Sequence, residues 1–206
     1  MQPIFFLSLI FPTANELFGP KSRITVWRSG LPDDRELWER ICRGDAFAFD
    51  ALYRMHAPKV ELFLRQILRS RQAAEDVMQE TFAQIWRSPN GFEPSRGTLR
   101  AYLFGAARKR AAEFWRKQGA VSNREAENEP ADCKAEIASL VGDAFARLPE
   151  EQRTLIWLRE VEGQSYAELA VILEIPVGTV RSRLFTAREA LRIVWHAAPN
   201  VRKEDA

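Results

Sequence analysis

The feature that most constrains the fold is a pair of helical patterns between residues 165 and 195, separated by a tight turn. Residues 165–168 read Ser-Tyr-Ala-Glu, a capping box that starts a short helix. After the turn at 174–176, Pro176 lies where a missing N–H costs least, at the start of a second helix. In that helix apolar residues recur at intervals of four and three, which predicts one buried face: Val180, Leu184, Ala187, Leu191 and Val194. This order of elements predicts a helix-turn-helix.

The exposed side of the second helix is predicted to be basic. Arg181, Ser182, Phe185 and Arg188 fall opposite the apolar stripe. Residues 177–195 contain four Arg and one Glu, a local excess of three positive charges. A helix of this kind can enter the major groove of DNA. The alternative interpretation is a plain helical hairpin with a solvated basic face.

The chain upstream is also predicted to be helical, from Asp33 onward. Asp45 can cap one helix, and a stripe of apolar residues at helical spacing begins past Pro58. A further helix is predicted from about Arg71 to Arg87, and Thr98 can cap another that runs to about Gln118. No stretch alternates with period two for long enough to predict a strand, so the predicted fold class is all-α.

Residues 119–135 differ in composition from the segments on either side. They carry several acidic residues, a proline and almost no apolar side chains, which predicts a flexible acidic linker. We therefore predict two small helical domains, at 31–118 and 136–196, followed by a tail at 197–206. Residues 1–30 are predicted to be a poorly ordered extension or upstream sequence from a misassigned start, with a membrane-touching or partner-binding segment as the less favoured alternative. Its apolar run at 4–11 is too short to span a bilayer, which takes about 20 residues, and lacks signal-peptide features.

The predicted helix 98–118 carries a second basic cluster. Glu113 is its only acidic residue, against six cations: Arg100, Arg108, Lys109, Arg110, Arg116 and Lys117. Aromatic residues are interleaved with these cations, Trp115 among them. Cations supply phosphate affinity and exposed aromatic rings can stack unpaired bases, which favours nucleic-acid binding. The alternative is that the aromatic residues belong to the core.

The sequence shows no pattern typical of an enzyme or a metal site. Its two cysteines, Cys42 and Cys133, are far apart, and its two histidines, His56 and His196, have no Cys or His partner at ligand spacing. No nucleophile–base pairing or glycine-rich phosphate loop is present. We therefore predict no catalytic residue, no metal and no cofactor, and cysteine usage compatible with a reducing cytoplasm.

Several segments resemble the sigma factors of bacterial RNA polymerase, of the extracytoplasmic-function (ECF) type in the sigma-70 family. Residues 148–153, 162–170, 175–184 and 187–191 resemble sigma region 4. Residues 74–82, with Trp86 four residues on, resemble region 2.2, and residues 98–104 with the basic stretch after them resemble regions 2.3 and 2.4. The resemblance covers roughly residues 36–196, with both regions in the expected order.

The resemblance implies roles for three groups of residues. The group that docks on the clamp helices of the polymerase's largest subunit is Asp76, Gln79, Glu80 and Trp86. The group for the −10 element and the melted strand is Phe92, Arg96, Arg100, Arg108, Lys109, Arg110, Trp115 and Arg116, with the loop 88–97 capturing a flipped-out base. The group for the −35 element is Thr179, Arg181, Ser182, Arg183, Phe185 and Arg188.

The resemblance also implies partners and a place of action. The expected partners are core RNA polymerase, promoter DNA and an anti-sigma factor, with no small-molecule substrate, and the expected location is the cytoplasm, at the nucleoid in the holoenzyme. Glu174 departs from the family pattern, because the turn normally carries Gly there, and Tyr102 stands where Trp is typical. The alternative function is a stand-alone helix-turn-helix regulator that does not bind core polymerase.

Overall fold

The computed structural model describes residues 34–118 and 144–197, and all of their regular secondary structure is helical. The helices are α1 (Asp34–Cys42), α2 (Ala46–Leu68), α3 (Arg71–Arg87), α4 (Leu99–Gln118), α5 (Glu150–Ile156), α6 (Tyr166–Leu173) and α7 (Val177–Ala197). A 3-10 turn at Pro94–Arg96 lies between α3 and α4, and a π turn at Trp157–Val161 continues α5. The predicted extension, the acidic linker and residues 198–206 lie outside the described residues.

The first helical unit contains α1 to α4. Helix α2 packs against α1, α3 and α4, and α3 also packs against α4. Phe63, Leu64, Phe82 and Phe104 are almost fully buried at the centre, and Phe63 meets Phe104 edge to face at a centroid distance of 5.2 Å. Burying aromatic and aliphatic side chains of this size stabilises the fold by about 1.5–3 kcal/mol each. This core fixes α3 and α4 as neighbours.

The helix starts follow the sequence closely. The Asp45 carboxylate accepts the backbone N–H groups of Phe47 and Ala48, at 2.9 and 3.2 Å, and so caps α2. The Ser70 hydroxyl accepts from the backbone of Ala73 to start α3. Thr98 does the same for α4, accepting from Ala101 at 3.2 Å. The predicted bounds of α3 and the predicted caps at Asp45 and Thr98 are confirmed.

Pro58 does not separate two helices as the pattern suggested, because α2 runs continuously through it. Proline removes one backbone donor, so the carbonyl four residues earlier has no α-helical partner at this point. The proline ring is exposed, whereas Leu52 and Val60, on either side, are buried on the same face. Packing of that continuous face against the rest of the unit outweighs the lost hydrogen bond.

In the second unit, α5 packs against α7. The buried residues of α5 and its π turn include Leu155, Ile156 and Leu158, and those of α7 are Val180, Leu184, Ala187 and Leu191. The α7 set matches the predicted inward stripe, apart from Val194, which is half-buried. Gly163 ends the helical segment at φ +65°, and the Gln164 N–H donates to the Leu158 carbonyl at 2.9 Å. Glycine is favoured in this left-handed C-terminal cap.

The turn between α6 and α7 has the backbone shape that glycine favours, although it carries Glu174. Its φ is +56°, in the left-handed region, and the Ile175 N–H donates to the Ala170 carbonyl at 3.2 Å. A non-glycine residue here costs about 1–2 kcal/mol. The departure at Glu174 therefore leaves the left-handed turn in place and adds strain.

Candidate functional site

One face of α3 is polar and exposed. Asp76, Gln79 and Glu80 all point to solvent, while Ala74, Val77, Met78 and Thr81 are buried beneath them. Trp86, at the end of the helix, is 39% exposed and rests on Phe49, with ring centroids 4.9 Å apart. A row of polar groups beside a partly exposed, well-supported aromatic ring is typical of a protein–protein interface.

Glu80 connects this face to α4. Its carboxylate accepts from Arg87 Nη2 at 3.1 and 3.2 Å and lies 3.7 Å from Arg110 Nη1. Arg110 also lies 3.9 Å from Glu113. A residue predicted for polymerase docking and one predicted for strand binding thus belong to one surface ion network.

The loop between α3 and α4 is anchored by a buried aromatic residue. Phe92, one of the residues predicted for −10 recognition, is only 8% exposed and packs among Trp38 and Tyr102 at centroid distances of 5.4 and 5.8 Å. It is buried because these two rings offer it an apolar pocket beneath the loop. Arg96 is exposed and lies 3.8 Å from Glu93. The loop therefore presents polar side chains while Phe92 holds it from below.

Helix α4 carries most of the cations predicted for the melted strand. Lys109 and Arg116 are exposed, whereas Arg100, Arg108 and Arg110 are half-buried, which places their stems on the helix and their charges at its surface. Trp115 is 42% exposed, and its ring lies 6.1 Å from that of Phe114. An exposed indole among cations is suited to stacking on an unpaired base.

Helix α7 exposes most of the residues predicted for the −35 element. Arg181, Ser182, Arg183 and Phe185 are exposed, with Phe185 at 68%, and Thr179 is half-buried. Arg183 lies 3.4 Å from Glu151 of α5. Arg188 differs from the rest of this group, because it is half-buried and donates to Glu160 Oε1 at 3.1 and 2.6 Å. That pair ties α7 to the π turn.

Two further residues join this surface, and sequence reasoning missed their role. The Arg159 guanidinium lies 4.8 Å from the centroid of the Tyr166 ring and donates to the Gln164 carbonyl at 2.7 Å. Arg181 lies 5.9 Å from the same ring. One aromatic ring thus gathers two guanidinium groups by cation–π attraction. In the sequence, only the interval of seven residues between Arg159 and Tyr166 could have indicated the first of these contacts.

Within residues 34–118 and 144–197, no group of three or more His, Cys, Asp or Glu side chains could hold a metal ion. In the same part of the chain, no helix is long and apolar enough to cross a membrane. Of the two histidines, His56 is buried in α2, and this burial lowers the pKa of its imidazole from 6.5 to about 4, helped by the positive charges of Lys59 and Arg100. His56 therefore stays neutral at neutral pH.

The helical architecture and these surfaces define a class of protein. It has a helix-turn-helix with arginines on the exposed side of its second helix, and a separate helical unit with a basic, aromatic helix and an exposed polar helix face. Two basic surfaces suited to nucleic acid, together with a polar face suited to a protein partner, are typical of a multi-site transcription factor.

Comparisons with known proteins give the family. Residues 52–121 match the model of sigma-70 region 2, and residues 136–191 match that of sigma-70 region 4. Relatives include the RNA polymerase sigma-H factor of Pseudomonas aeruginosa and the ECF RNA polymerase sigma-E factor of Haemophilus influenzae. Each is 34% identical over 177 residues, covering 77% of this chain and 91% and 93%, respectively, of the relative.

Solved structures agree with this result. The chain is similar to CnrH, solved in complex with the cytosolic domain of CnrY, with a TM-score of 0.64 and 27% identity over 80% of this chain and 97% of that one. It is also similar to the sigma factor RpoE of Bartonella quintana, solved with the anti-sigma factor NepR, with a TM-score of 0.62 and 26% identity over 72% of this chain and 96% of that one.

The chain therefore belongs to the sigma-70 family and is an ECF sigma factor. It directs transcription initiation, as the resemblance predicted, and the stand-alone regulator is not favoured. The all-α fold with domains matching regions 2 and 4 is confirmed. Members of the sigma factor family are transcription factors without enzymatic activity.

Proposed function

We propose that the chain performs promoter recognition through three surfaces on two domains, 31–118 and 136–196, joined by the acidic segment 119–135. The polar face of α3 docks on core RNA polymerase, α4 and the preceding loop hold the melted −10 region, and the exposed side of α7 reads the −35 element. The single observation that carries this proposal is the presence of a protein-docking face and two basic, DNA-suited faces in one chain.

Docking on core polymerase uses Asp76, Gln79, Glu80 and Trp86. The three polar side chains are exposed on one side of α3, and Trp86 is held at the end of that side by its contact with Phe49. A partly exposed tryptophan can supply most of the binding energy when a partner buries it, while the polar groups set the register.

Binding of the −10 region uses Arg96, Arg100, Arg108, Lys109, Arg110, Trp115 and Arg116, with Phe92 holding the loop from beneath. The cations provide sequence-independent affinity for the phosphates of the separated strand, and Trp115 provides a stacking surface. Binding the melted strand better than the duplex favours strand opening, because a ligand shifts an equilibrium by its differential affinity for the two states.

Recognition of the −35 element uses Thr179, Arg181, Ser182, Arg183 and Phe185, and we add Arg159 and Tyr166. Arginine can bind the O6 and N7 atoms of guanine in the major groove. The Tyr166 ring lies near both Arg159 and Arg181, and so limits the positions that Arg181 can adopt. Arg188 contributes mainly through its pair with Glu160, which holds α7 against the π turn.

The remaining parts of the proposal follow from this function. The protein works in the cytoplasm, where core polymerase and the nucleoid are, and it acts without a cofactor or a catalytic residue. We also propose an anti-sigma factor as a partner. The support is that the similar sigma factor RpoE was solved in complex with the anti-sigma factor NepR.

Replacing Asp76 and Gln79 together by Ala tests the docking face. We expect the double variant to fold, because both side chains are exposed, and to bind core polymerase at least tenfold more weakly in a pull-down or fluorescence titration. Glu39→Ala is the matched control, since Glu39 is an equally exposed acid on α1, paired only with Arg35. Unchanged affinity in the double variant would remove α3 from the interface.

A further inference from the structure

Helix α1 contacts the loop between α3 and α4 at its start, its middle and its end. Cys42 Sγ donates to the Pro89 carbonyl at 3.3 Å, Trp38 packs edge-on against Phe92, and the Leu99 N–H donates to Asp34 Oδ2 at 3.1 Å. Asp34, Trp38 and Cys42 are spaced by four residues, which places them along one side of the helix. The loop is thus held along its whole length by a single stripe of α1.

The attachment of α1 to the core uses mainly other residues, although the Trp38 ring also packs against Tyr102 of α4. Leu37 and Ile41 are 2% and 1% exposed, respectively, and lie on the side of α1 that packs against the rest of the unit. The loop itself supplies little order: between residues 88 and 98 only Phe92 is buried, and the only regular structure is the short turn Pro94–Arg96. The main partners of the stripe on α1 are therefore the loop and the start of α4 that follows it.

Tyr102 closes the pocket around Phe92 from the side of α4. Its ring lies 5.4 Å from Trp38 and 5.8 Å from Phe92. Its hydroxyl lies against Gly91 so closely that a Cβ at this position would be 2.4 Å from the oxygen, well inside contact distance. The contact with Tyr102 therefore fixes the distance between the loop backbone and the Trp38 and Tyr102 rings, while the contacts with α1 fix the position of the loop along that helix.

We infer that α1 is the positioning element of the loop, and that Trp38 sets which base the loop accepts in the −10 element. This rests on the proposed function, in which the loop captures a flipped-out base. A loop ordered before binding loses less conformational entropy on binding and holds its polar groups in one geometry, which raises discrimination between bases. Trp38, Asp34 and Cys42 are positioning residues, because they would act through their contacts with the loop and the start of α4.

The first test measures base preference. Holoenzyme reconstituted from the full chain and core polymerase selects from a single-stranded DNA pool with a randomised −10 segment, and the bound DNA is sequenced. Trp38→Phe should reduce preference about three- to tenfold at one or two positions and leave the others as in the wild type. Phe63→Leu is the control, because Phe63 is equally buried in the same unit but packs on Phe104 instead of the loop.

Conservative and compensating variants sharpen this test. Cys42→Ser keeps a donor for the Pro89 carbonyl and should retain the wild-type preference, whereas Cys42→Ala should lose part of it. Gly91→Ala should flatten the preference at the same positions as Trp38→Phe. The methyl group that Gly91→Ala adds would overlap the Tyr102 hydroxyl. Adding Tyr102→Phe removes that hydroxyl and should restore at least half of the base preference lost in Gly91→Ala.

A second measurement tests the holding of the loop without DNA. Hydrogen exchange of the backbone amides in residues 88–98 should accelerate at least tenfold in Trp38→Phe and stay within twofold in Phe63→Leu. Equal exchange in the two variants, or an unchanged base preference in Trp38→Phe, would overturn the inference. A wild-type holoenzyme that selects no sequence, with loop exchange behaving as expected, would contradict the proposed function and leave α1 with a purely structural role.

Discussion

At the scale of single residues, His56 makes the stability of the first unit depend on pH. Burial, with the charges of Lys59 and Arg100, lowers the pKa of the folded-state imidazole from 6.5 to about 4. Between pH 6.5 and 4 the unfolded chain binds more protons than the folded chain, so stability falls as the pH falls through this window. The full effect is about 3 kcal/mol, and it is complete below the folded pKa.

Urea unfolding at pH 7 and pH 4.5 measures this dependence. We expect His56→Gln to lose less stability than the wild type between the two pH values, by about 2–3 kcal/mol, because glutamine does not titrate. His196→Gln, which replaces an exposed histidine of α7, is the control for the loss of a histidine as such. If His56→Gln loses as much unfolding free energy as the wild type between pH 7 and pH 4.5, other groups cause the acid sensitivity.

Replacing Arg181 distinguishes base-specific recognition of the −35 element from sequence-independent binding to DNA phosphates. Arg181→Ala should weaken promoter binding by about 1–3 kcal/mol and relax selectivity at one −35 position. Arg192→Ala removes the same charge from the same helix, at a side chain paired with Glu189, and should weaken binding evenly across promoters. An even loss across promoters for Arg181→Ala, measured by competition among −35 variants, would assign Arg181 to phosphate contact alone.

At the scale of secondary-structure elements, the Arg188–Glu160 pair links α7 to the π turn after α5. Arg188→Ala should lower the free energy of unfolding of the second unit by about 1–2 kcal/mol, because it leaves a half-buried carboxylate without its donor. A double-mutant cycle with Glu160→Gln, followed by thermal unfolding, should give a coupling energy of the same sign. If Arg188→Ala reduces DNA affinity and leaves stability unchanged, Arg188 contacts DNA and does not hold α7 against the π turn.

The sequence predicted the helices of both units well, because apolar periodicity and capping residues are local signals. Asp45, Ser70 and Thr98 fix helix starts through hydrogen bonds to residues two or three positions away. Pro58 was misleading for the same reason, since the cost of a proline is local whereas the packing that overrides it involves three other helices.

The surfaces were predicted less completely. The periodicity of apolar residues shows which side of a helix is exposed, but it does not show which exposed side chains contact one another. The pairing of Arg188 with Glu160, and of Arg159 and Arg181 with Tyr166, joins residues up to 28 positions apart. The burial of Phe92 depends on Trp38 and Tyr102, which flank it in space and not in sequence. The role of α1 could be found only from such contacts.

At the scale of the whole molecule, function was easier to predict than any single contact. Motifs for two sigma regions occur in the expected order, and the two family models match residues 52–121 and 136–191. Each motif alone would fit many DNA-binding proteins, but the ordered pair fits a subunit that binds core polymerase and promoter DNA together. Bivalent attachment of this kind gives high affinity from two modest interactions.

Run-off transcription tests whether the chain directs promoter-specific initiation by core RNA polymerase. Purified core polymerase is incubated with DNA from upstream of the protein's own gene, with and without the protein. We predict discrete new transcripts only when the protein is present, and their loss with the Asp76→Ala, Gln79→Ala double variant. The account would be contradicted if no transcripts appeared and core polymerase failed to bind the protein, while the protein alone bound that DNA tightly and specifically.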